Sequence, residues 1–376
     1  MAELPQNLDL SQFGKLVVVG PLPPPAGGMA NQTRQLTELL RAAQANVTLV
    51  QTNAPYRPEW VGRIPAMRAV FRLVPYLWSL WRTLSQAKVM HLMANSGWAW
   101  HLFAVPAIWM AWLRGVPVVV NYRGGEADKF LSRSQGLVRF SMRRVAWLIV
   151  PSAFLQEVFE RYGMSAAIVP NIIDLTRFHP RAARCNDSAH LVVARNLEPL
   201  YDNATAVRAF EIVLSQYPSA QLTIAGSGPH ANDLKQLVEE LGLAHVVRFA
   251  GRLDRDAMAA LYRSADIMLN PSLADNMPNS VLEALASGVP VVTTNVGGVP
   301  YIVQDGVTAL LVPPADPQAM AAASLKILQS DELWRQLSVA GVAEVQRYTW
   351  ARVAPLLANV YRQAIAGARP PSIGMP

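Results

Sequence analysis

The sequence predicts an α/β protein of two doubly wound domains, each a mostly parallel sheet with helices on both faces. Three observations carry that expectation. Short uninterrupted apolar runs such as KLVVVG (15–20) and VPVVTT (289–294) alternate with amphipathic helical stretches, as strands buried on both faces do. The alternation breaks at the polar, proline-bearing NIIDLTRFHPRAARCNDS (171–188) and then begins again. Finally, 376 residues with 52% apolar and 16% charged side chains suit two ordinary domains better than one core.

In the first domain, taken as residues 1–183, KLVVVG opens the sheet and leads into a proline-rich loop holding Gly27 and Gly28. NQTRQLTELLRAAQ follows as a helix with Leu36, Leu39 and Leu40 on one face. VTLVQ (47–51), KVMHLM (88–93), VPVVVNYRG (116–124), VAWLIVPS (145–152) and AAIVPN (166–171) read as the remaining strands. In the second domain, residues 184–348, the strands are HLVVARN (190–196), QLTIAGSG (221–228), VVRFAG (246–251), ADIMLNPS (265–272), VPVVTT and ALLVPP (309–314). Helices such as ANDLKQLVEELG and RDAMAALYRSA fall between them. TWARVAPLLANVYRQAIAG (349–367) reads as an amphipathic helix that packs back on the first domain. Two such halves imply a cleft in which ligands sit at the carboxyl ends of the strands. GWAWHLFAVPAIWMAWL (97–113) lacks any charged residue, but His101 and Pro106 interrupt it and strands flank it. It reads as a buried core helix, being short for a membrane span.

The single cysteine, Cys185, allows no internal disulfide and suits a reducing compartment. The polar start MAELPQNLDLSQFGK has no apolar signal-peptide region, so a cytoplasmic location is expected. Residues 1–183 carry 19 Lys+Arg against 9 Asp+Glu, whereas residues 184–376 carry 14 against 17. A basic first half points to phosphorylated substrates, an anionic membrane or nucleic acid, or to nothing more than a soluble basic surface. No nucleic-acid motif accompanies the charge.

The stretch DNMPNSVLEALASGVPVVTTNVGG (275–298) sets two acids, Asp275 and Glu283, around the start of a short helix. Pro278 suits the first helical turn, and Gly288 suits the residue just past its end. The helix start offers amides and positive dipole to a phosphate. Carboxylates on either side of that phosphate would accept hydrogen bonds from the hydroxyls of a ribose and of a hexose.

This stretch resembles the E-x7-E region of retaining glycosyltransferases of family 4, which have the two-domain GT-B fold; here it stands as Asp275-x7-Glu283. The resemblance extends to Gly27-Gly28, SGWAWHLF, VVVNYRGGEA, VPNIIDLTRF, VARN, IAGSGP, FAGRL, ALYRSADIMLNPS and QDGVTALLVPP, in that order along most of the chain. It implies transfer of a sugar from a nucleotide-diphosphate donor, with retention of anomeric configuration and with neither metal nor cofactor. It implies that Glu283 binds the donor ribose and Asp275 the sugar hydroxyls, while Asn276, Met277, Pro278, Asn279 and Ser280 line sugar and phosphate. Arg195 would meet the diphosphate, Gly27 and Gly28 would admit it, and Arg252 would stand near the base. The sequence departs from the family where LEPLYDNA lacks the lysine usual about six residues after Arg195. It departs again where Arg123 replaces a common histidine at a place that touches the donor sugar, and where Tyr301 and Asp275 replace glutamates.

Other readings stay open beside these. GSGPHA (226–231) fits a dinucleotide fingerprint but follows the second strand of its half. His91 reads as a satisfied core histidine or, with Asn95 and Glu126, as part of the acceptor side. Arg123 reads as a site residue or a strand-end surface residue. RPEWVGRIPAMRAVFRLVPYLWSLWRTL (57–84) and RFSMRRVAW (139–147) are basic and aromatic, fitting either a membrane interface or a helix with an arginine outer face. The expected function is a front-face sugar transfer onto a glycan or lipid-linked acceptor, with Arg195 and the helix start stabilising the leaving diphosphate. A nucleotide-sugar-binding partner subunit without transferase activity is the alternative.

Overall fold

The computed structural model describes residues 10–24, 27–56, 64–181 and 188–368, with the side chains of 65–70 outside the description. Arg57, Trp60, Arg63 and Cys185, and the side chain of Arg68, therefore lie outside the described residues.

The chain divides into two compact units, one spanning Ile173–Thr349 and the other built from the residues before Ile173 and from Trp350 onward. The sequence boundary at 183/184 falls eleven residues later than this exchange, because residues 173–181 of the polar segment belong to the second unit. Ile173 N–H donates to the Tyr348 carbonyl at 3.0 Å, and Phe178 is buried in that unit's core.

The first unit contains β1 (Lys15–Gly20), α1 (Gly28–Ala42), β2 (Asn46–Gln51), α2 (Pro65–Leu84), β3 (Val89–Ala94) and α3 (Val105–Leu113). It continues through β4 (Val118–Tyr122), α4 (Ala127–Met142), β5 (Trp147–Val150), α5 (Ala153–Arg161) and β6 (Ala167–Ile168). The strands form one parallel sheet in the order β2-β1-β3-β4-β5-β6. Strand alternation divides its core. Val17, Val19, Leu92 and Val120 pack toward α2–α5, whereas Leu16, Val18, Val89 and Val119 pack toward α1 and the returning chain.

The second unit contains β7 (His190–Ala194), α6 (Asn203–Gln216), β8 (Gln221–Ala225), α7 (Ala231–Glu240), β9 (Val247–Gly251) and α8 (Arg255–Ser264). After these come β10 (Ile267–Asn270), α9 (Asn279–Ala286), β11 (Val291–Thr294), β12 (Leu310–Val312), α10 (Pro317–Leu328) and α11 (Asp331–Glu344). Its parallel sheet runs β12-β11-β10-β7-β8-β9. Two helix starts are capped by an acid: Asp254 accepts from Ala257 N–H and Asp316 from Ala319 N–H, both at 2.8 Å. The final helix, α12 (Trp350–Ile365), buries Trp350, Val353, Leu357 and Tyr361 in the first unit's core.

The apolar run 97–113 is only half a core helix. It opens with a π-helical turn over Trp100–Ala104 and continues as α3, burying Trp100, Ala107, Ile108 and Ala111. Trp98, Trp112 and Leu113 are exposed. Pro106 lies inside this continuous helical run, just after the π-helical turn, the kind of local irregularity that accompanies a residue unable to donate to the helix ladder. No described helix is long and apolar enough to cross a membrane.

Candidate active site

Arg195 follows β7 and the loop 271–278 follows β10, the two strands that flank the reversal of strand order in the second sheet. That reversal is where open α/β sheets bind ligands, outside the carboxyl ends of the strands. Arg195 Nη2 donates to Asp275 Oδ2, and Nη1 donates to the Ser280 hydroxyl at 3.1 Å. The guanidinium carbon stacks 4.1 Å from the Tyr201 ring centroid. The side chains of Arg195 and Asp275 are only 9% and 13% exposed, and the arginine Nε has no partner among the described residues. Burial pushes the Asp275 carboxyl up; the Arg195 charge, the Asn276 amide and the Ser272 hydroxyl pull against that.

Glycines hold the backbone around this pair. A Cβ on Gly298 would lie 1.8 Å from the Asn276 carbonyl oxygen, and one on Gly297 would lie 2.1 Å from that of Asp275. Across the site, a Cβ on Gly226 would meet the Arg195 carbonyl oxygen at 1.9 Å, and one on Gly228 would meet that of Leu197 at 2.2 Å. The spacing in GSGPHA thus has a packing cause: its glycines let one loop lie against the backbone of Arg195.

Pro278 is the N-cap of α9, one place ahead of the expected first-turn position. Its ψ of 119° is extended, so Asn279 takes the first helical place, and no side chain caps the helix start. Gly288 ends the helix at a φ of 68° as expected. Glu283 lies in the second turn. Burial raises its carboxyl to about 7, opposed by Arg255 and by a hydrogen bond from Tyr262. The Tyr262 hydroxyl also reaches the Ser280 carbonyl at 3.2 Å. The Met277 side chain is buried in the unit's core. Arg252 is exposed and donates to the Ser227 hydroxyl at 2.9 Å.

In the first unit, β1 and β3 flank the corresponding reversal. Gly27 caps α1 in an extended conformation and Gly28 begins the helix. A Cβ on Gly27 would meet nothing within 4 Å, so packing does not demand glycine there. Asn95 follows β3, its Oδ1 accepting from Ser96 N–H at 2.8 Å. Glu126 is exposed beside α4 and pairs with Lys129 at 3.0 Å.

His91 is fully buried in the core, with one ring nitrogen meeting Asn121 on β4 and the other Tyr361 on α12. Asn121 Nδ2 lies 3.0 Å from His91 Nε2, and the Tyr361 hydroxyl lies 2.8 Å from Nδ1. Arg123 Nε donates to Asn121 Oδ1 at 2.8 Å. The amide must then donate from its nitrogen, so His91 accepts at Nε2 and carries its proton on Nδ1. Burial and the Arg123 charge lower His91 to about 3, and burial lowers Arg123 to about 10. Arg123 is therefore no strand-end surface residue. Its Nε faces this network, and its Nη1 is buried with no partner among the described residues. Among the described residues, no group of three or more His, Cys, Asp or Glu could hold a metal ion.

Residues 189–330 match the family model described as "Glycosyl transferases group 1", and residues 26–177 match "Glycosyltransferase Family 4". The chain is 30% identical to glycogen synthase of Mycobacterium tuberculosis, covering 73% of this chain and 70% of that one. The chain belongs to the group 1 glycosyltransferases. A phosphatidyl-myo-inositol mannosyltransferase of Mycolicibacterium smegmatis is 28% identical to this glycosyltransferase, with 91% of each chain covered. Among solved structures, sucrose-phosphate synthase from Thermosynechococcus elongatus aligns with a TM-score of 0.76 at 22% identity, covering 94% of this chain and 100% of that one. Anabaena HepE, in complex with UDP and glucose, aligns at 0.73 and 16%, covering 93% and 99%. These neighbours share the GT-B fold.

Four residues of the glycosyltransferase went unsingled in its sequence. Tyr201 stands where LEPLYDNA lacks the family's lysine and stacks on Arg195. Tyr262 joins Glu283 to the start of α9. Asn121 and Tyr361 complete the network of Arg123. The spacing from Arg195 marked the place of Tyr201, but nothing local marks Tyr262 or Tyr361, whose partners are distant in sequence, and Asn121 lies two residues from Arg123 but thirty from His91.

Proposed function

We propose that this glycosyltransferase is a retaining, metal-independent enzyme that moves a sugar from a nucleotide-diphosphate donor to a hydroxyl of a glycan or lipid-linked acceptor in cell-surface polysaccharide or glycolipid synthesis. The observation that carries the reading is the Arg195 guanidinium, fixed by Asp275 and Ser280 beside the start of α9. As the bond from anomeric carbon to phosphate oxygen breaks, negative charge grows on the leaving diphosphate. A preorganised cation and a helix start lower the energy of that charge without reorganisation. Glu283 receives the ribose hydroxyls and Asp275 those of the sugar. The acceptor oxygen bonds to the anomeric carbon on the face the diphosphate leaves, and its proton passes to a phosphate oxygen. No protein nucleophile enters this scheme. A nucleotide diphosphate as donor is in keeping with the UDP bound to Anabaena HepE.

A thermal-shift screen of nucleotides and sugar nucleotides identifies the donor, because a ligand that binds only the native state raises its melting temperature. Transfer with that donor should yield the donor's own anomeric configuration by proton NMR and should persist in EDTA. An inverted product refutes the retaining mechanism, and loss of activity to the chelator, restored by a divalent cation, refutes metal independence.

A further inference from the structure

We propose that the outer face formed by α2, α3 and the end of α4 is a membrane-docking surface that seats on bilayers with anionic headgroups. It goes beyond sugar transfer, and its failure would leave the transfer reaction standing. The first ground is composition. No Asp or Glu occurs from Trp60 to Gly125, nor again from Lys129 to Gln156, while arginines recur through both stretches.

The second ground is geometry. Arg114, just past α3, stacks 3.7 Å from the ring centroid of Trp81 on α2. Arg144, just past α4, stacks 3.7 Å from Trp109 on α3 and 4.6 Å from Phe140 on α4. Arg82 stacks 4.5 Å from Trp78. The Arg114 contact ties the end of α3 to α2 and the Arg144 contact ties the end of α4 to α3, so the face is continuous. On it Trp78, Trp112, Leu113 and Leu137 are 61%, 50%, 64% and 65% exposed.

The chemistry selects the occupant. Tryptophans carrying guanidinium groups, beside exposed leucines, match the headgroup level of a bilayer, where apolar side chains enter the acyl boundary and cations meet phosphates. Without carboxylates the face carries no charge that an anionic surface would repel. Helices α2 and α3 are too short or too polar to span, so the face lies on the membrane.

The test is co-sedimentation of the full chain with vesicles of phosphatidylcholine alone or mixed with phosphatidylglycerol. Binding should favour the anionic vesicles and weaken as salt rises. The Arg114→Glu/Arg144→Glu variant should partition at least tenfold less, by the electrostatic weight of two reversed charges. Because stacked arginines also pack, Leu113→Glu serves as a second variant that keeps every cation–π pair; it too should lower binding with melting unchanged. Brominated acyl chains should quench tryptophan fluorescence. Absent binding, equal binding to neutral vesicles, or variants that sediment like the unaltered chain would overturn the proposal. So would self-association through this face that vesicles do not compete away.

Discussion

Arg195 and Asp275 give up most of their hydration in the fold, so each depends on the other's charge. Replacing Asp275 by Asn leaves Arg195 buried with half its anchorage. We expect a loss of about 3 kcal/mol in urea unfolding, since breaking a buried pair strands a charge. We expect a fall in kcat of at least about a hundredfold, by analogy with removing one transition-state donor. Unchanged turnover would separate the pair from catalysis. Glu283 makes a prediction about pH. Burial raises its carboxyl from the ordinary 4.5 to about 7. A folded value above the unfolded one stabilises the protein fully below the unfolded value, and that stabilisation is lost as pH rises through about 7. The melting temperature should therefore fall more steeply from weakly acidic to weakly basic pH in the unaltered protein than in Glu283→Gln. Ribose hydroxyls favour the ionised carboxylate, so nucleotide binding below pH 7 should release a proton. Calorimetry in buffers of different ionisation enthalpy measures it; no release at acidic pH would remove Glu283 from the ribose.

The loop after β10 is shaped by the glycines that follow β11. Gly298→Ala would drive its Cβ into the Asn276 carbonyl, a contact that only movement of the loop relieves. Gly27→Ala meets open space. The two should part company: Gly298→Ala lowers both the melting temperature and kcat/KM, while Gly27→Ala spares melting and costs donor affinity if a diphosphate passes there. Equal donor affinity in Gly27→Ala would show that no phosphate comes near. The same elements show what the sequence could disclose. All twelve strands were legible, the central ones because a strand buried on both faces must be an unbroken apolar run; the edge strands β2 and β9 are only partly buried. The Asp275–Glu283 stretch was legible because turn, helix and glycines lie together in sequence. The run 97–113 reads as a buried core helix although Trp98, Trp112 and Leu113 are exposed, because periodicity does not say whether a tryptophan is covered by core or by an arginine from the next helix. The roles of His91 and Arg123 stay open in the sequence for a like reason: Tyr361, which meets His91, lies 270 residues from it, and Asn121 joins Arg123 to that histidine.

The chain leaves its first unit at Ile172 and returns to it at Trp350, so the first core is finished by the last helix. Tyr361 packs edge-on to Phe13 with ring centroids 5.9 Å apart and meets His91 at 2.8 Å, in the centre of that core. The second unit spans the stretch Ile173–Thr349, whereas the first cannot close until Trp350–Ile365 has been made. A chain stopped at Thr349 loses Trp350, Val353, Leu357 and Tyr361 from the core at once. Each buried side chain of that kind is worth about 1.5–3 kcal/mol or more, and their sum rivals the 5–15 kcal/mol of a whole domain. The truncated chain should therefore show a native second unit and a molten first one. It should bind a hydrophobic dye, lose hydrogen-exchange protection in β1, β3 and β4, and keep protection in β7, β8 and β10. Tyr361→Phe is the milder companion: it keeps the ring and removes one hydroxyl, so about 1–3 kcal/mol should be lost with both units still folded. Exchange protection lost equally from both sheets in the truncated chain would mean that the units fold as one.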